Sequence, residues 1–329
     1  MNFIKIIGTG SYVPSKVLTN KDLQEMGLDT TDEWIVKRTG ISERRVAEPG
    51  VAASDLAVEA SKKALEMAGM GAEDLDLIIM GTITPDTCCP AGANWLEGKL
   101  GAHRAISFDI TAACSGFVFA MDVAIKYMNC GAVENALVVG SEILTRVQDW
   151  TDRTNCVLWG DGAGAAIITK GGDGHQVLST HIHTDGANGQ DLLVPGGGSA
   201  TTPISHESVD KGLHSLRLIN ANASFRVAVR RFVESIEEAA RTNNISVDDI
   251  DWFIPHQANQ RMFNSMAKTL NIPMEKFYIT INKYGNISSA SCIIAFDEAV
   301  RDRSIKDGDI VCLPVFGGGL TWGSALIKW

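Results

Sequence analysis

Asp74-Leu-Asp-Leu-Ile-Ile79 returns 175 positions later as Asp249-Ile-Asp-Trp-Phe-Ile254. Each copy reads as the end of a helix followed by a short apolar run, the pattern of a strand buried on both faces. The same offset aligns the helical stretches opening at Val58-Glu59 and Val233-Glu234, with Ala64 against Ala239. It also pairs Ala120, Asp122 and Ala124 with Ala295, Asp297 and Ala299, and Ile7-Gly-Thr9 with Ile182-His-Thr184. A single match of this kind arises by chance; four at one offset do not. The pattern predicts an α/β chain of two similar halves, 1–172 and 173–329, related by a pseudo-twofold.

Within the first half, Thr111-Ala-Ala-Cys-Ser-Gly-Phe-Val-Phe119 sets a cysteine between small residues, ahead of an apolar run to Met128. The run reads as a helix apolar on nearly every face, which belongs in a large core. Cys114 then sits at its N-terminus, where unpaired N–H groups and the helix dipole favour a thiolate. The offset places this loop opposite Tyr284-Gly-Asn-Ile-Ser-Ser-Ala-Ser291. His256, in Pro255-His-Gln-Ala-Asn-Gln-Arg261, follows directly on the strand ending at Ile254. Reactive groups in open α/β sheets gather beyond the carboxyl ends of strands. Two pseudo-twofold halves can therefore bring Cys114, His256 and Asn286 to one pocket.

Bulk properties exclude several classes of function. The chain has 329 residues, 45% hydrophobic and 21% charged, enough for a sizeable core. Its formal charge of −10 argues against nucleic acid and against an anionic membrane surface as partners. Seven cysteines without a CxxC pair argue against a disulfide framework and a zinc site. The start lacks the features of a signal peptide, and no apolar run reaches membrane-spanning length, so a cytoplasmic location is expected. Gly8-Thr-Gly10 lacks the third glycine of a dinucleotide fingerprint, and Gly160-Asp-Gly-Ala-Gly164 lacks the Lys-Ser/Thr of a phosphate loop. His181 and His183 share a strand face without a third ligand, so no metal is expected.

Taken together, the motifs resemble the beta-ketoacyl-[acyl-carrier-protein] synthase III family of thiolase-like condensing enzymes. They run almost end to end: Thr31-Asp-Glu-Trp-Ile-Val-Lys-Arg-Thr-Gly-Ile41, Ala113-Cys-Ser-Gly-Phe117, Gly160-Asp-Gly-Ala-Gly-Ala165, Pro255-His-Gln-Ala-Asn259, Tyr284-Gly-Asn286 and Phe316-Gly-Gly-Gly-Leu-Thr-Trp-Gly-Ser-Ala325. The resemblance implies a five-layer αβαβα fold, a homodimer, and condensation of an acyl-CoA with malonyl-acyl carrier protein. That reaction starts fatty acid synthesis, releases CoA and carbon dioxide, and needs no cofactor, acyl-CoA being a substrate.

By the same resemblance Cys114 carries the acyl group, and the N–H groups of Cys114 and Gly318 hold the oxyanion. His256 and Asn286 supply donors to the enolate formed on decarboxylation, while Phe316 walls the malonyl carboxylate. Thr30, counted with the CoA contacts, and Glu33 have capping-box spacing, which starts a helix carrying Trp34 and Arg38 on one side. The family stacks adenine between the residues matching Trp34 and Arg153, keeps Arg38 near the phosphates, and lines its pantetheine tunnel with the matches of Asn222, Ala258 and Asn259. Arg226, Gln257, Ala258, Asn259, Gln260, Arg261 and Lys268 fall at the carrier-protein dock. Many members have Phe where this chain has Trp159 and Cys89, two departures at the acyl pocket with opposite expected effects. Alternatives are a related acyltransferase that primes a polyketide or other secondary product, and a non-catalytic acyl-CoA-binding or thiol-redox module.

Overall fold

The computed structural model describes residues 3–199 and 203–329, with the side chains of 188 and 221–223 left aside. Nine strands join in the order Trp252–Phe253, Ile310–Gly317, Thr321–Lys328, His175–Thr184, Ile4–Tyr12, Asp161–Lys170, Asn135–Ile143, Leu77–Gly81, Ile106–Ile110. The link between the fourth and fifth is short: only Lys5↔Gln176 and Ile6↔His175 pair across it. The sheet therefore divides into a five-strand and a four-strand leaflet.

Alternating strand residues show what each leaflet face covers, because successive side chains point to opposite faces. Leu77 and Ile79 pack in the central core with Phe117, Met121, Ile293 and Phe296, together with Leu313 and Val315 of the other leaflet. Ile78 and Met80 instead meet Ala57, Ala60 and Ala64 of the outer helix Ala53–Ala68. On the far side, Cys312 and Leu326 pack against Phe232, Ile236 and Phe263, carried by the helices Ala221–Thr242 and Gln260–Leu270. Two helices, Gly116–Asn129 and Ser291–Arg301, thus lie between the leaflets, and the order of layers is αβαβα. Burial of a side chain such as Phe117 or Phe296 contributes ~1.5–3 kcal/mol each, so the middle layer anchors the fold. No helix among the described residues is long and apolar enough to cross a membrane.

The stretches aligned at the 175-residue offset hold the same element types. Leu77–Gly81 answers to Trp252–Phe253, and Ile4–Tyr12 to His175–Thr184. The match extends to backbone dihedrals: Ala113 has φ 45° and Ser288 φ 44°. Each residue opens a 3₁₀ turn, Ala113–Ser115 or Ser288–Ala290, that feeds one of the two central helices. A left-handed conformation costs an L-residue ~1–2 kcal/mol, and here it turns both loops toward the same place.

Candidate active site

Cys114 lies in the turn Ala113–Ser115, ahead of the buried helix Gly116–Asn129. Thr321 staples this turn to the turn between the two C-terminal strands: its Oγ1 donates to the Ala112 carbonyl at 2.9 Å. Gly317 comes so close that a Cβ there would stand 2.7 Å from the Cys114 nitrogen, which requires glycine. His256 follows the strand Trp252–Phe253, and its backbone N–H donates to the Pro314 carbonyl at 2.9 Å. Asn286 is positioned through Gly285, which has φ 67° and a backbone that leaves no room for a Cβ beside the Leu158 carbonyl. Asn286 Oδ1 accepts from the Ser288 N–H at 2.8 Å, so its amide Nδ2 is the end left to donate.

Cys114, His256 and Asn286 line one cavity of about 690 Å³ together with Phe316, Gly317 and Gly318. All three are buried, and burial dominates the electrostatics of Cys114 and His256. The Cys114 thiol is pushed up to about 12 from 9.0 by desolvation, with the nearby Glu142 charge adding to the rise. Burial therefore works against the thiolate expected at the helix end. The His256 imidazole is pushed down to about 3 by the same cause, so it is neutral in the resting protein.

These shifts set a pH window for stability. The unfolded chain takes up a proton at His256 below about pH 6.5 that the folded protein refuses, so stability present above that pH is lost as pH falls toward 3. The thiol acts on the other side, where stability is lost as pH rises from about 9 to 12. Each group contributes a slope of about 1.4 kcal/mol per pH unit within its range. Urea unfolding of His256→Gln should show a shallower acid limb than the wild type. An unchanged acid limb would contradict the neutral, buried imidazole.

Glu142, Ser288, Ser289 and Ser291 form a buried polar layer beneath the cavity that sequence reasoning missed. The Glu142 carboxylate accepts from Thr84 Oγ1 at 2.6 Å, the Ile83 N–H at 3.1 Å and Ser289 Oγ at 3.1 Å. Desolvation raises its pKa despite these bonds. The Ser288 hydroxyl lies beside both Cys114 and Glu142, with no well-formed hydrogen bond to either. The 175-residue offset was the available signal, since it sets Ser288 against Ala113.

Residues 108–186 match the model of 3-oxoacyl-[acyl-carrier-protein] synthase III, and residues 240–329 match its C-terminal model. The beta-ketoacyl-[acyl-carrier-protein] synthase III of Caldanaerobacter subterraneus subsp. tengcongensis is 47% identical over 324 residues, covering 98% of this chain and 97% of that protein. The chain belongs to that family. The family consists of condensing acyltransferases, and the structures agree. The 3-oxoacyl-[acyl-carrier-protein] synthase III of Aquifex aeolicus superimposes with a TM-score of 0.90 at 40% identity, covering 99% of this chain and 100% of that one. The priming beta-ketosynthase of the R1128 polyketide pathway has a TM-score of 0.89 at 32% identity, covering 99% and 96%. The fold is thiolase-like.

The other residues picked out by resemblance to the synthase III family fall in three groups. Trp34, Arg38, Ala258, Asn259, Arg226 and Arg261 line the outer part of the same cavity, and Trp159 lines its inner part. Arg38 lies 4.3 Å and Arg153 5.2 Å from the Trp34 ring centroid. Arg153 also pairs with Asp29 Oδ2 at 2.9 Å, so the ring face expected to receive a base is already covered by a cation. Gln260 packs against Gly40, and Lys268 is exposed on the helix Gln260–Leu270. Cys89 is exposed and lies outside the cavity lining.

Three expectations need correction or fall outside view. Gln257 was expected at the carrier dock, yet it is fully buried: its Oε1 accepts from the Thr280 and Ile281 N–H groups at 2.8 and 3.1 Å. It is an internal strut with no surface to offer a partner. The helix cap is Thr31, one residue after the expected Thr30, because Thr31 Oγ1 accepts from the Trp34 N–H at 3.2 Å. Thr30 is buried with its hydroxyl unpaired, outside the cavity lining. Asn222 falls in the first turn of the helix Ala221–Thr242, and its side chain lies outside the described residues.

Proposed function

We propose that the protein condenses a short acyl-CoA, acetyl-CoA foremost, with malonyl-acyl carrier protein, giving a 3-oxoacyl product, CoA and carbon dioxide. The observation that carries this reading is the shared cavity: a buried thiol, a neutral imidazole and a free amide at its inner end, arginines at its mouth. The Cys114 sulfur attacks the acyl-CoA carbonyl, the bond to the CoA sulfur breaks, and the thiol proton leaves with CoA. Thioester exchange has little thermodynamic cost, which suits a thiol nucleophile. Malonyl-carrier protein then loses carbon dioxide. The enolate oxygen takes hydrogen bonds from His256 and the Asn286 amide, and its carbon displaces Cys114 from the acyl group. A proton from solvent restores the thiol. The N–H groups of Cys114 and Gly318 hold the oxyanion in both halves, and the reaction calls for no metal or cofactor. Intact mass after acetyl-CoA treatment should show one acetyl adduct, on the peptide carrying Cys114; its absence would remove the reading.

Trp159 supports a short acyl group. Its indole packs with Leu144 and Leu216, and Nε1 donates to Asn155 Oδ1 at 2.6 Å, which makes it a rigid wall. Acetyl-CoA should exceed octanoyl-CoA in kcat/KM, and Trp159→Ala should extend the accepted length. Overfilling a packed site costs ~1–3 kcal/mol, whereas one surplus methylene gains only ~1 kcal/mol. A wild-type preference for octanoyl-CoA would mean that the opening at Cys89 wins.

Carrier protein is acidic, and the arginines at the mouth fit it despite the overall charge of −10. The helix Ala221–Thr242 has no acid in its first turn and carries Arg226, Arg230 and Arg231 before Glu234, an order that opposes its dipole. Arg230 and Arg231 pair with Glu234 at 3.8 and 2.8 Å, and Arg231 also stacks on Trp322, so Arg226, which lines the cavity, is the arginine of this helix offered to a partner. Arg261→Glu should raise the KM for malonyl-carrier protein, more at low salt, and spare acetyl-CoA. An unchanged KM at low salt would remove Arg261 from the dock.

The protein works as a homodimer in the cytoplasm. The unpaired edge strand Ile106–Ile110 supports the first point, with Ile106 53% and Trp95 41% exposed beside it. Seven free cysteines support the second. The halves 1–172 and 173–329 act as one unit, each contributing one of the two turns that meet at the cavity.

A further inference from the structure

Ser291 does not line the cavity, yet its hydroxyl is the partner of the His256 imidazole. Ser291 Oγ lies 2.6 Å from His256 Nδ1, 2.9 Å from the Ser288 carbonyl and 3.1 Å from the Gln257 nitrogen. The Gln257 N–H is a donor only, so Oγ accepts there. The hydroxyl has one proton left to give, either to the Ser288 carbonyl or to Nδ1. The shorter contact favours Nδ1: the Ser288 carbonyl stands 2.9 Å away and already accepts the Ser291 backbone N–H with one of its two lone pairs. The 2.6 Å separation from Nδ1 lies below the ~2.7–3.2 Å usual for an N–H donor to oxygen, which fits a hydroxyl donor better.

We propose that Ser291 is a positioning residue whose hydroxyl donates to Nδ1 and thereby keeps the His256 proton on Nε2. Nδ1 is turned away toward Ser291, so Nε2 is the nitrogen left to face the cavity that His256 lines. A neutral ring with Nε2–H donates to the enolate oxygen and has no lone pair with which to take the Cys114 proton. That explains the division of labour in the function proposed above, on which this inference rests: His256 serves decarboxylation and stands apart from acylation. The alternative state is close by, because the Ser288 carbonyl, 2.9 Å from Ser291 Oγ, is the neighbouring acceptor. Without the Ser291 hydroxyl, Nδ1–H turns to that carbonyl and Nε2 presents a lone pair where a donor is needed.

The test is ¹⁵N NMR of the ring nitrogens in histidine-labelled protein, with the His256 signals assigned by their loss in His256→Gln. Wild type should show the Nε2–H tautomer, Ser291→Ala the Nδ1–H tautomer, and Ser291→Thr, which keeps a hydroxyl, the wild-type pattern. Condensation should fall ~10²–10³-fold in Ser291→Ala, the loss typical of one missing donor, with acylation by acetyl-CoA changed less than tenfold. An Nδ1–H tautomer in wild type overturns the proposal, as does Ser291→Ala with the Nε2–H tautomer and full condensation. Should Ser291→Ala fail to fold, the wild-type and Ser291→Thr spectra still decide. The tautomer is read without turnover, so a protein that never acylates Cys114 would sink the proposed function and leave this result standing.

Discussion

Cys114→Ser yields a folded protein that forms no acyl-enzyme from acetyl-CoA, a loss of ~10⁴-fold or more in acyl transfer. Serine keeps the size and the turn, and the staple from Thr321 does not depend on the sulfur. What disappears is a nucleophile strong enough to attack without a strong base. The Cys114 thiol is already held near 12 by burial, and an alcohol in the same dry place is harder still to ionise. Quench-flow with labelled acetyl-CoA measures the step directly. Acyl transfer within tenfold of wild type in Cys114→Ser would place the nucleophile elsewhere.

His256→Ala and Asn286→Ala should each leave acylation of Cys114 within about tenfold of wild type and lower decarboxylation of malonyl-carrier protein ~10²–10³-fold. The asymmetry follows from what each group offers. The Asn286 carbonyl oxygen is occupied by the Ser288 N–H, so only its N–H groups reach the cavity. His256 is neutral, with one ring nitrogen engaged by Ser291. Both are donors without charge, suited to an enolate oxygen and of little use to a thiol that must lose a proton. Release of labelled carbon dioxide and acyl transfer, measured on the same preparations, separate the two steps. Acylation lost as fully as in Cys114→Ser would mean that the roles are not divided.

The two α/β halves and the meeting of three reactive residues were legible because both depend on local pattern and on repetition, whereas the αβαβα layering was implied by the family resemblance. Apolar runs such as Leu77–Gly81 announce strands covered on both faces, and the 175-residue offset sets the Cys114 loop against the Asn286 loop. Burial was not legible. The same N-terminal placement that lowers a thiol in an open site fails for Cys114, because desolvation depends on the second leaflet closing over it. Gln257 illustrates the same gap: a polar residue between His256 and Ala258 reads as surface, and only tertiary packing shows its amide bracing Thr280 and Ile281. The Glu142 carboxylate lies far in sequence from its partners Thr84 and Ser289, so no spacing marks it. Thr31 displaced Thr30 as a helix cap because adjacent threonines leave a one-residue ambiguity that backbone geometry resolves.

The central claim, that one cavity first stores an acyl group on Cys114 and then joins it to a decarboxylated malonyl unit, is tested by a pulse and chase. The protein is loaded with radiolabelled acetyl-CoA, freed of excess by rapid desalting, and mixed with unlabelled malonyl-acyl carrier protein. The account predicts that label on Cys114 moves to carrier protein as the 3-oxoacyl thioester, with one carbon dioxide released per label transferred. Label that stays on Cys114 while carbon dioxide is released, or that leaves as free acetate, would contradict it.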